Sequence, residues 1–288
     1  MKRWLGRYLL SPEVQQSTLG AALRSVVKST KNVYKYNPWF LLDSQAVERP
    51  HYAYCMLNAS VLARKLGLGT ISAIEFGVAG GNGLAFMSRF AREVKRATGV
   101  AVECYGFDTG RGMPDPKGPQ DLPYWFRSSQ YKMDEDVLRE KVPDATLVIG
   151  DVRDTVKSFL EDYKPAPIGV IFNDMDYLSS TSDSFYLFEN RNNGIEHFLP
   201  RIFMYFDDII GSSVEMYGPF NGQLAAINDF NSRSADAKIH LNQNLLPQAH
   251  LRYRYQIYYA HLFDHPRYCE YLGDEQQKTI MSALAFRE

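Results

Sequence analysis

Two pairs of aspartates stand where they could act together on one ligand. Asp174 and Asp176 lie in the stretch Asn173-Asp174-Met175-Asp176-Tyr177, and Asp207 and Asp208 in Tyr205-Phe206-Asp207-Asp208-Ile209. Each pair follows a short apolar run, residues 168–172 and 202–206, that reads as a β-strand. In an open parallel sheet, ligands bind beyond the carboxyl ends of the strands. Strands four and five of such a sheet are neighbours, so the four carboxylates are expected to converge. Like charges gathered in one place repel unless a cation lies among them. All-oxygen ligands suit Mg²⁺, Ca²⁺ or Mn²⁺. The competing structural reading is that each aspartate caps the helix after its strand. One or two can do so; all four doing only that is the weaker account.

A second group precedes them. Residues 71–76 form a short apolar run that ends in Glu75-Phe76-Gly77-Val78-Ala79-Gly80-Gly81-Asn82-Gly83. A tight strand-to-helix turn needs glycine for its unusual dihedrals and for close approach of backbone to ligand. Glu75 can accept from a ligand ammonium or hydroxyl. Asp108 ends the next strand, where an acid takes ribose hydroxyls in dinucleotide folds. A pyrophosphate would prefer the G-x-G-x-x-G pattern at a helix N-terminus. A loop led by a carboxylate better suits S-adenosylmethionine, which is cationic and carries no phosphate. The loop residues Gly77, Val78 and Gly81 are expected to form the wall of that site.

The elements that must position these groups alternate. A helix over 51–65 precedes the first strand, and a helix over 83–97, with apolar residues at Phe86, Met87, Phe90, Ala91 and Val94, follows it. Further strands are expected at 100–107, 146–149, 168–172 and 202–206. Short apolar strands alternating with helices imply a parallel sheet covered on both faces. Residues 238–241 and a long Tyr-rich strand over 251–263 read as a terminal antiparallel hairpin, with Tyr253, Tyr255 and Ile257 as sheet core. The expected architecture is therefore α/β: a Rossmann-like doubly wound sheet, mostly parallel, with a C-terminal antiparallel hairpin. Residues 1–50 read as an N-terminal helical arm, and 51–288 as one domain. Within that domain, 109–134 is polar and rich in Gly and Pro around Tyr124-Trp125-Phe126. It reads equally well as a lid over the ligand or as a surface loop with an aromatic anchor.

Composition removes several classes. A chain of 288 residues that is 45% hydrophobic can bury a core without disulfides or metals to hold it. The formal net charge of −1 offers no basic footprint for nucleic acid. No apolar run reaches the roughly 20 residues of a membrane span. The basic start, residues 1–10, lacks the apolar core and cleavage site of a signal peptide. Cys55, Cys104 and Cys269 have no metal or redox spacing and read as buried, reduced thiols, which favours the cytoplasm. The dispersed histidines read as structural or surface groups, although His51, near the start of a helix, can face the cleft.

Taken together, several stretches resemble the macrocin O-methyltransferase family, the metal-dependent sugar O-methyltransferases of antibiotic biosynthesis. They are Glu75-Phe76-Gly77-Val78, then Tyr105-Gly106-Phe107-Asp108-Thr109-Gly110-Arg111-Gly112-Met113-Pro114, Gly150-Asp151-Val152-Arg153-Asp154-Thr155 and Asp174-Met175-Asp176-Tyr177-Leu178-Ser179-Ser180-Thr181. Asp207-Asp208 and Gly222-Gln223-Leu224-Ala225-Ala226-Ile227-Asn228-Asp229-Phe230 complete the series. The resemblance covers about residues 70–232 and departs from the family pattern in lacking a Gly-Gly turn before Asp207. It implies that Asp174, Asp207 and Asp208 hold Mg²⁺, that Glu75, Gly77 and Asp108 contact S-adenosylmethionine, and that Asp151 lies near the adenine. Asp174 then borders both metal and cofactor.

The expected activity is transfer of a methyl group to a hydroxyl of a sugar or similar small molecule. A bound cation lowers the pKa of such a hydroxyl, and Asp176, two residues beyond a ligand of that cation, is the expected general base. A structural alternative for Asp176 is to cap a helix starting near Ser179. Three other functions stay open: a methyltransferase without metal, a nicotinamide-dependent oxidoreductase, and a non-catalytic binding module. The sequence leaves homo-oligomerisation open.

Overall fold

A computed structural model describes Val14 and residues 17–30, 35–191, 194–273 and 275–284. The stretch 1–10 lies outside the described residues. The first helices are α1 (Thr18–Thr30), α2 (Pro38–Asp43) and α3 (Pro50–Lys65). Then come β1 (Thr70–Phe76), α4 (Asn82–Thr98), β2 (Ala101–Asp108), α5 (Glu135–Lys141), β3 (Ala145–Ile149), α6 (Val152–Tyr163) and β4 (Ile168–Asn173). The remainder comprises α7 (Leu178–Ser184), α8 (Tyr186–Glu189), β5 (Phe198–Phe206), α9 (Gly222–Arg233), β6 (Ala237–Leu241), β7 (Ile257–Leu262) and α10 (Glu275–Leu284).

The strands form one seven-stranded sheet in the order β3-β2-β1-β4-β5-β7-β6. The first five are parallel, while β7 runs antiparallel to both β5 and β6. The order reverses between β1 and β4, which opens a crevice at the carboxyl ends of the strands. Alternate strand residues feed opposite cores. Ile71, Ala73 and Cys104 pack with α3 and α4 on one face, while Ile74, Phe76, Tyr105 and Phe107 pack with the phenylalanines of α6, α7–α8 and α9 on the other. Both faces are covered, as the unbroken apolar strands require.

Several boundaries differ from the sequence reading. β5 begins at Phe198, not at 202. Pro200 lacks an N–H and falls where the β4–β5 register shifts, between Ile168↔Phe198 and Val170↔Phe203. The last strand covers only Ile257–Leu262. Residues 252–256 are turn, so Tyr253 and Tyr255 are not sheet core. Tyr253 is buried against His51 and Tyr54 of α3, and Tyr255 is 46% exposed. Their alternation imitates a strand because the turn also points one ring inward and one outward. Cys55 and Cys104 are buried as expected, but Cys269 is exposed. Among the described residues no helix is long and apolar enough to cross a membrane.

Candidate active site

The register of the parallel strands decides which residues meet. Phe76 pairs with Phe107 and with Asn173, and Asn173 pairs with Phe206. Main-chain bonds continue one step further: Gly77 N donates to Phe107 O at 2.9 Å, Asp174 N to Phe76 O at 2.9 Å and Asp207 N to Asn173 O at 3.0 Å. The next row across the sheet is therefore Asp108, Gly77, Asp174, Asp207. All four line one cavity of about 320 Å³, together with Asp151, Asp176, Asp208, Phe107, Met113, Met175 and Tyr131.

Gly77 is the hinge of this row. Its φ is 85°, and a Cβ there would stand 1.8 Å from the carbonyl oxygen of Asp174. Only glycine lets the β1 turn and the β4 turn lie so close. Beside it, Asp108 is clamped by the loop. Its Oδ2 accepts from Val78 N at 3.0 Å and Ala79 N at 2.9 Å, and its Oδ1 from Gly110 N at 2.7 Å. The carboxylate thereby fixes the shape of the turn while its remaining lone pairs face the cavity.

Glu75 lies underneath. It is buried, and Tyr52 Oη donates to its Oε1 at 2.5 Å. Its Oε2 is buried with no partner. A side chain on Gly83 would collide with this pair, 1.7 Å from Glu75 Oε1. Burial pushes the Glu75 carboxyl up to about 7, against the pull of the Tyr52 hydrogen bond. Val78 and Gly81 form the turn behind the lining surface: Val78 is buried, and Gly81 precedes α4 with φ 80°. Asp151 lines the cavity and also caps α6, accepting from Arg153 N at 2.9 Å.

The acidic group at β4 and β5 converges as its sequence positions imply. Asp174, Asp207 and Asp208 each present an oxygen within 4.8 Å of the others. Asp208 Oδ2 accepts from Asp176 N at 2.9 Å, which stabilises Asp176 in a left-handed conformation, φ 55°. The hydroxyl of Tyr205 donates to Asp207 Oδ1, and Gln256 Nε2 holds both the Tyr205 hydroxyl, at 3.2 Å, and Asp207 O, at 3.0 Å. Burial first, then the neighbouring carboxylates, hold Asp174 and Asp208 well above the usual carboxylate range. Burial pushes Asp176 up to about 7, eased by its hydrogen bond to Asp208 and raised further by Asp174 and Asp207. Several acidic groups are thus packed where their ionised forms are disfavoured, and a cation among them is what would let them ionise together.

None of the four caps a helix among the described residues. The capping alternative for Asp176 fails for a specific reason: the N-terminus of α7 is capped from elsewhere. Asp121, 2% exposed and remote in sequence, accepts from Ser179 N at 2.8 Å and Ser179 Oγ at 2.8 Å. It also accepts from Lys117 N at 2.7 Å. Sequence reasoning missed Asp121, and it missed Gln223. Gln223 is fully buried, accepts from Asp208 N at 3.1 Å and donates to Asn173 O at 3.2 Å. A glutamine on the core side of α9 was the available signal, since a buried amide must find partners.

Segment 109–134 contributes residues to the cavity wall and carries an aromatic anchor. Thr109, Gly112, Met113, Pro114 and Tyr131 line the cavity. Leu122 and Phe126 bury themselves against Tyr177, so Phe126 is the anchor while Tyr124 and Trp125 are exposed. His51 does not enter the lining. It stacks on Tyr205 at 4.4 Å, and burial, with Arg49 beside it, lowers its pKa to about 3. A neutral, packed imidazole supports Tyr205 and, through it, Asp207.

No family model and no curated protein matches this chain. Solved structures do. The chain is similar to the calicheamicin methyltransferase CalS11, with a TM-score of 0.50 and 18% identity over 88% of this chain and 94% of that one. The O-methyltransferase NovP gives a TM-score of 0.49 and 15% identity over 74% of this chain and 79% of that one. At such identity the likeness is one of fold: this chain shares its Rossmann-like architecture with the calicheamicin methyltransferase.

Proposed function

We propose that this chain is an S-adenosylmethionine-dependent O-methyltransferase, acting on a hydroxyl of a sugar or related small natural product with the help of a divalent cation. The observation that carries the reading is the row Asp108–Gly77–Asp174–Asp207, which places a glycine turn and a carboxylate triad on one cavity. The similar fold of a calicheamicin methyltransferase agrees with it.

The residues present fit the cofactor. The cavity is lined by six carboxylates, those of Asp108, Asp151, Asp174, Asp176, Asp207 and Asp208, and, among the described residues, by no Lys or Arg. A pyrophosphate would meet only like charge there, which weighs against a nicotinamide dinucleotide. A sulfonium cation meets the opposite. The partnerless Glu75 Oε2 supplies an acceptor at the end of β1, and the close approach at Gly77 leaves bare backbone beside the ligand. When bound, S-adenosylmethionine supplies an electrophilic methyl group. Asp108 orients the ribose hydroxyls, and Asp151 stands at the adenine end.

The residues also fit a hard divalent cation. Asp174, Asp207 and Asp208 would hold it, and it would supply acidification of the acceptor hydroxyl. The chain does the rest by position. Tyr205, Gln256 and Gln223 hold the triad in place before substrate arrives, so alignment is built into the folded chain. Asp176, borne on its left-handed turn, faces the same cavity and accepts the proton that the acceptor hydroxyl loses as its oxygen bonds to the methyl carbon.

Calorimetric titration with S-adenosylmethionine and, separately, NADH tests the reading. Binding of the first without the second is expected, and methyl transfer should vanish on chelation and return with Mg²⁺. Binding of NADH alone would overturn the assignment. Transfer indifferent to chelation would remove the metal from it.

A further inference from the structure

Away from the cavity, two histidines on the last two strands stand where they can share one ligand. β6 and β7 pair so that His240 faces Tyr259 and Lys238 faces His261. Partners across an antiparallel pair share a face, as do residues two apart along a strand. His240 and His261 are therefore diagonal neighbours on one face, and a slip of one residue would send His240 to the other. That other face is core, with Ile239, Ala260 and Leu262 buried. On the histidine side α3 packs through Tyr54 against Phe203 of β5, with ring centres 6.3 Å apart. Further along the same face His240 is exposed and His261 half-buried.

The two rings meet at their Nε2 atoms, 2.9 Å apart, with planes 14° from parallel. Each Nδ1 is held from behind. That of His240 lies 2.9 Å from Leu241 O, and that of His261 lies 2.7 Å from the Tyr268 hydroxyl. A carbonyl oxygen can only accept, so the His240 proton sits on Nδ1 and its Nε2 is a bare lone pair. A neutral His261 then donates to it from Nε2 and accepts from Tyr268 at Nδ1. Burial first, then His240 and Arg201, lowers the His261 pKa and keeps that ring neutral. Lys238, on the same face, is turned away: its Nζ donates to Asn231 O and Ser234 O, both at 2.6 Å.

Imidazoles whose far nitrogen is fixed by a carbonyl or a hydroxyl are arranged as metal-binding histidines are. Two nitrogens, each about 2.0–2.1 Å from one ion, stand about 2.9 Å apart when they meet it at a right angle and about 3.3 Å apart in a tetrahedron. The observed separation matches the right angle. We propose that His240 and His261 form a two-nitrogen site for a transition-metal ion of tetragonal or octahedral preference, of the Ni²⁺ or Cu²⁺ class. His240 offers its Nε2 lone pair as it stands. At His261 the proton leaves Nε2 and, through solvent, Nδ1 gains one, which it donates to the Tyr268 oxygen. The freed Nε2 lone pair binds the ion, and no net proton is lost. Tyr268 is thus a positioning residue. The ion clips the edge strand β6 to β7. This site is separate in chemistry from the carboxylates at β4 and β5, whose oxygens suit a hard cation.

The test is a calorimetric titration with Ni²⁺ on the full chain, free of any histidine tag, in excess Mg²⁺ so that hard-cation sites are filled. Wild type is expected to bind Ni²⁺ stoichiometrically. His240→Ala, at an exposed position, should lose that binding while its thermal unfolding without Ni²⁺ stays as in wild type, and His261→Gln should lose it too. Tyr268→Phe should weaken binding by about 10–100-fold, the scale of a lost outer partner of a ligand. Ni²⁺ should raise the unfolding temperature of wild type and leave that of His240→Ala where it is. Wild type that binds no Ni²⁺, or His240→Ala and His261→Gln that bind it as wild type does, would overturn the site and leave the two rings a hydrogen-bonded pair.

Discussion

Asp108 and Asp174 stand at the same level of the sheet on either side of Gly77, and their surroundings could hardly differ more. Asp108 receives three backbone N–H groups, from Val78, Ala79 and Gly110. It is a carboxylate whose charge the chain itself has answered, and the answer shapes the turn. Asp174 shares its surroundings with Asp207, Asp208 and Asp176, buried and unanswered by any cation in the lining. The β1–β2 end is thus electrostatically complete and suits the neutral hydroxyls of a nucleoside. The β4–β5 end is incomplete and suits positive charge. Residue type alone does not separate these cases; what differs is the supply of oriented donors.

The strongest way to break the comparison is to remove one charge from the incomplete end. Asp176→Asn is expected to lower turnover by about 10²–10⁴-fold, with affinity for S-adenosylmethionine and Mg²⁺ nearly unchanged. Steady-state kinetics beside calorimetry reads this directly. Near-normal turnover would withdraw the base from Asp176.

Stability against pH sharpens the contrast. The Asp176 carboxyl is raised from an ordinary 3.8 to about 7. A folded pKa above the unfolded one favours the protonated form, so its contribution is full below about 3.8 and is lost as pH rises through about 7. Metal-free protein should lose stability across that window, and Mg²⁺ should restore more of it at about pH 8 than at about pH 5.5. Thermal unfolding with and without Mg²⁺ measures the difference. Equal gains at both pH values would mean that the acids do not repel as described. Asp108→Asn, at the completed end, should leave the metal-dependent gain as it is.

The smallest effect on the site is expected from Asp121. Removing its carboxylate in Asp121→Ala strands Lys117 N and both donors of Ser179, at a cost of about 1–3 kcal/mol in denaturant unfolding. Cofactor affinity should change little, because Thr109, Gly112 and Met113 reach the cavity from the other side of the segment. A large loss of affinity with unchanged stability would mean that Asp121 tunes the cavity itself.

Much of this was legible one residue at a time. Strand ends at Glu75, Asp108, Asp174 and Asp207-Asp208 can be read because a parallel strand buried on both faces is a short apolar run, and its end is where polar residues begin. The glycine turn reads equally well, since its geometry excludes other residues. The Tyr253–Tyr255 alternation misled, because a turn can also alternate buried and exposed rings. Pro200 hid the first part of β5 behind a register shift.

Sequence by itself determined that the acids lie at successive strand ends, because local hydrophobic pattern places each end to within a residue or two. Tertiary structure alone decided which acids meet, since only the register sets Asp108, Gly77, Asp174 and Asp207 in one row. It alone decided what each one touches. Asp121 caps a helix 58 residues away, Gln223 ties Asp208 to Asn173, and Arg49 stands over Tyr52 above Glu75. These pairings join segments far apart in the chain. Their energies arise from burial and from donors brought together by packing, which no local pattern of residues encodes.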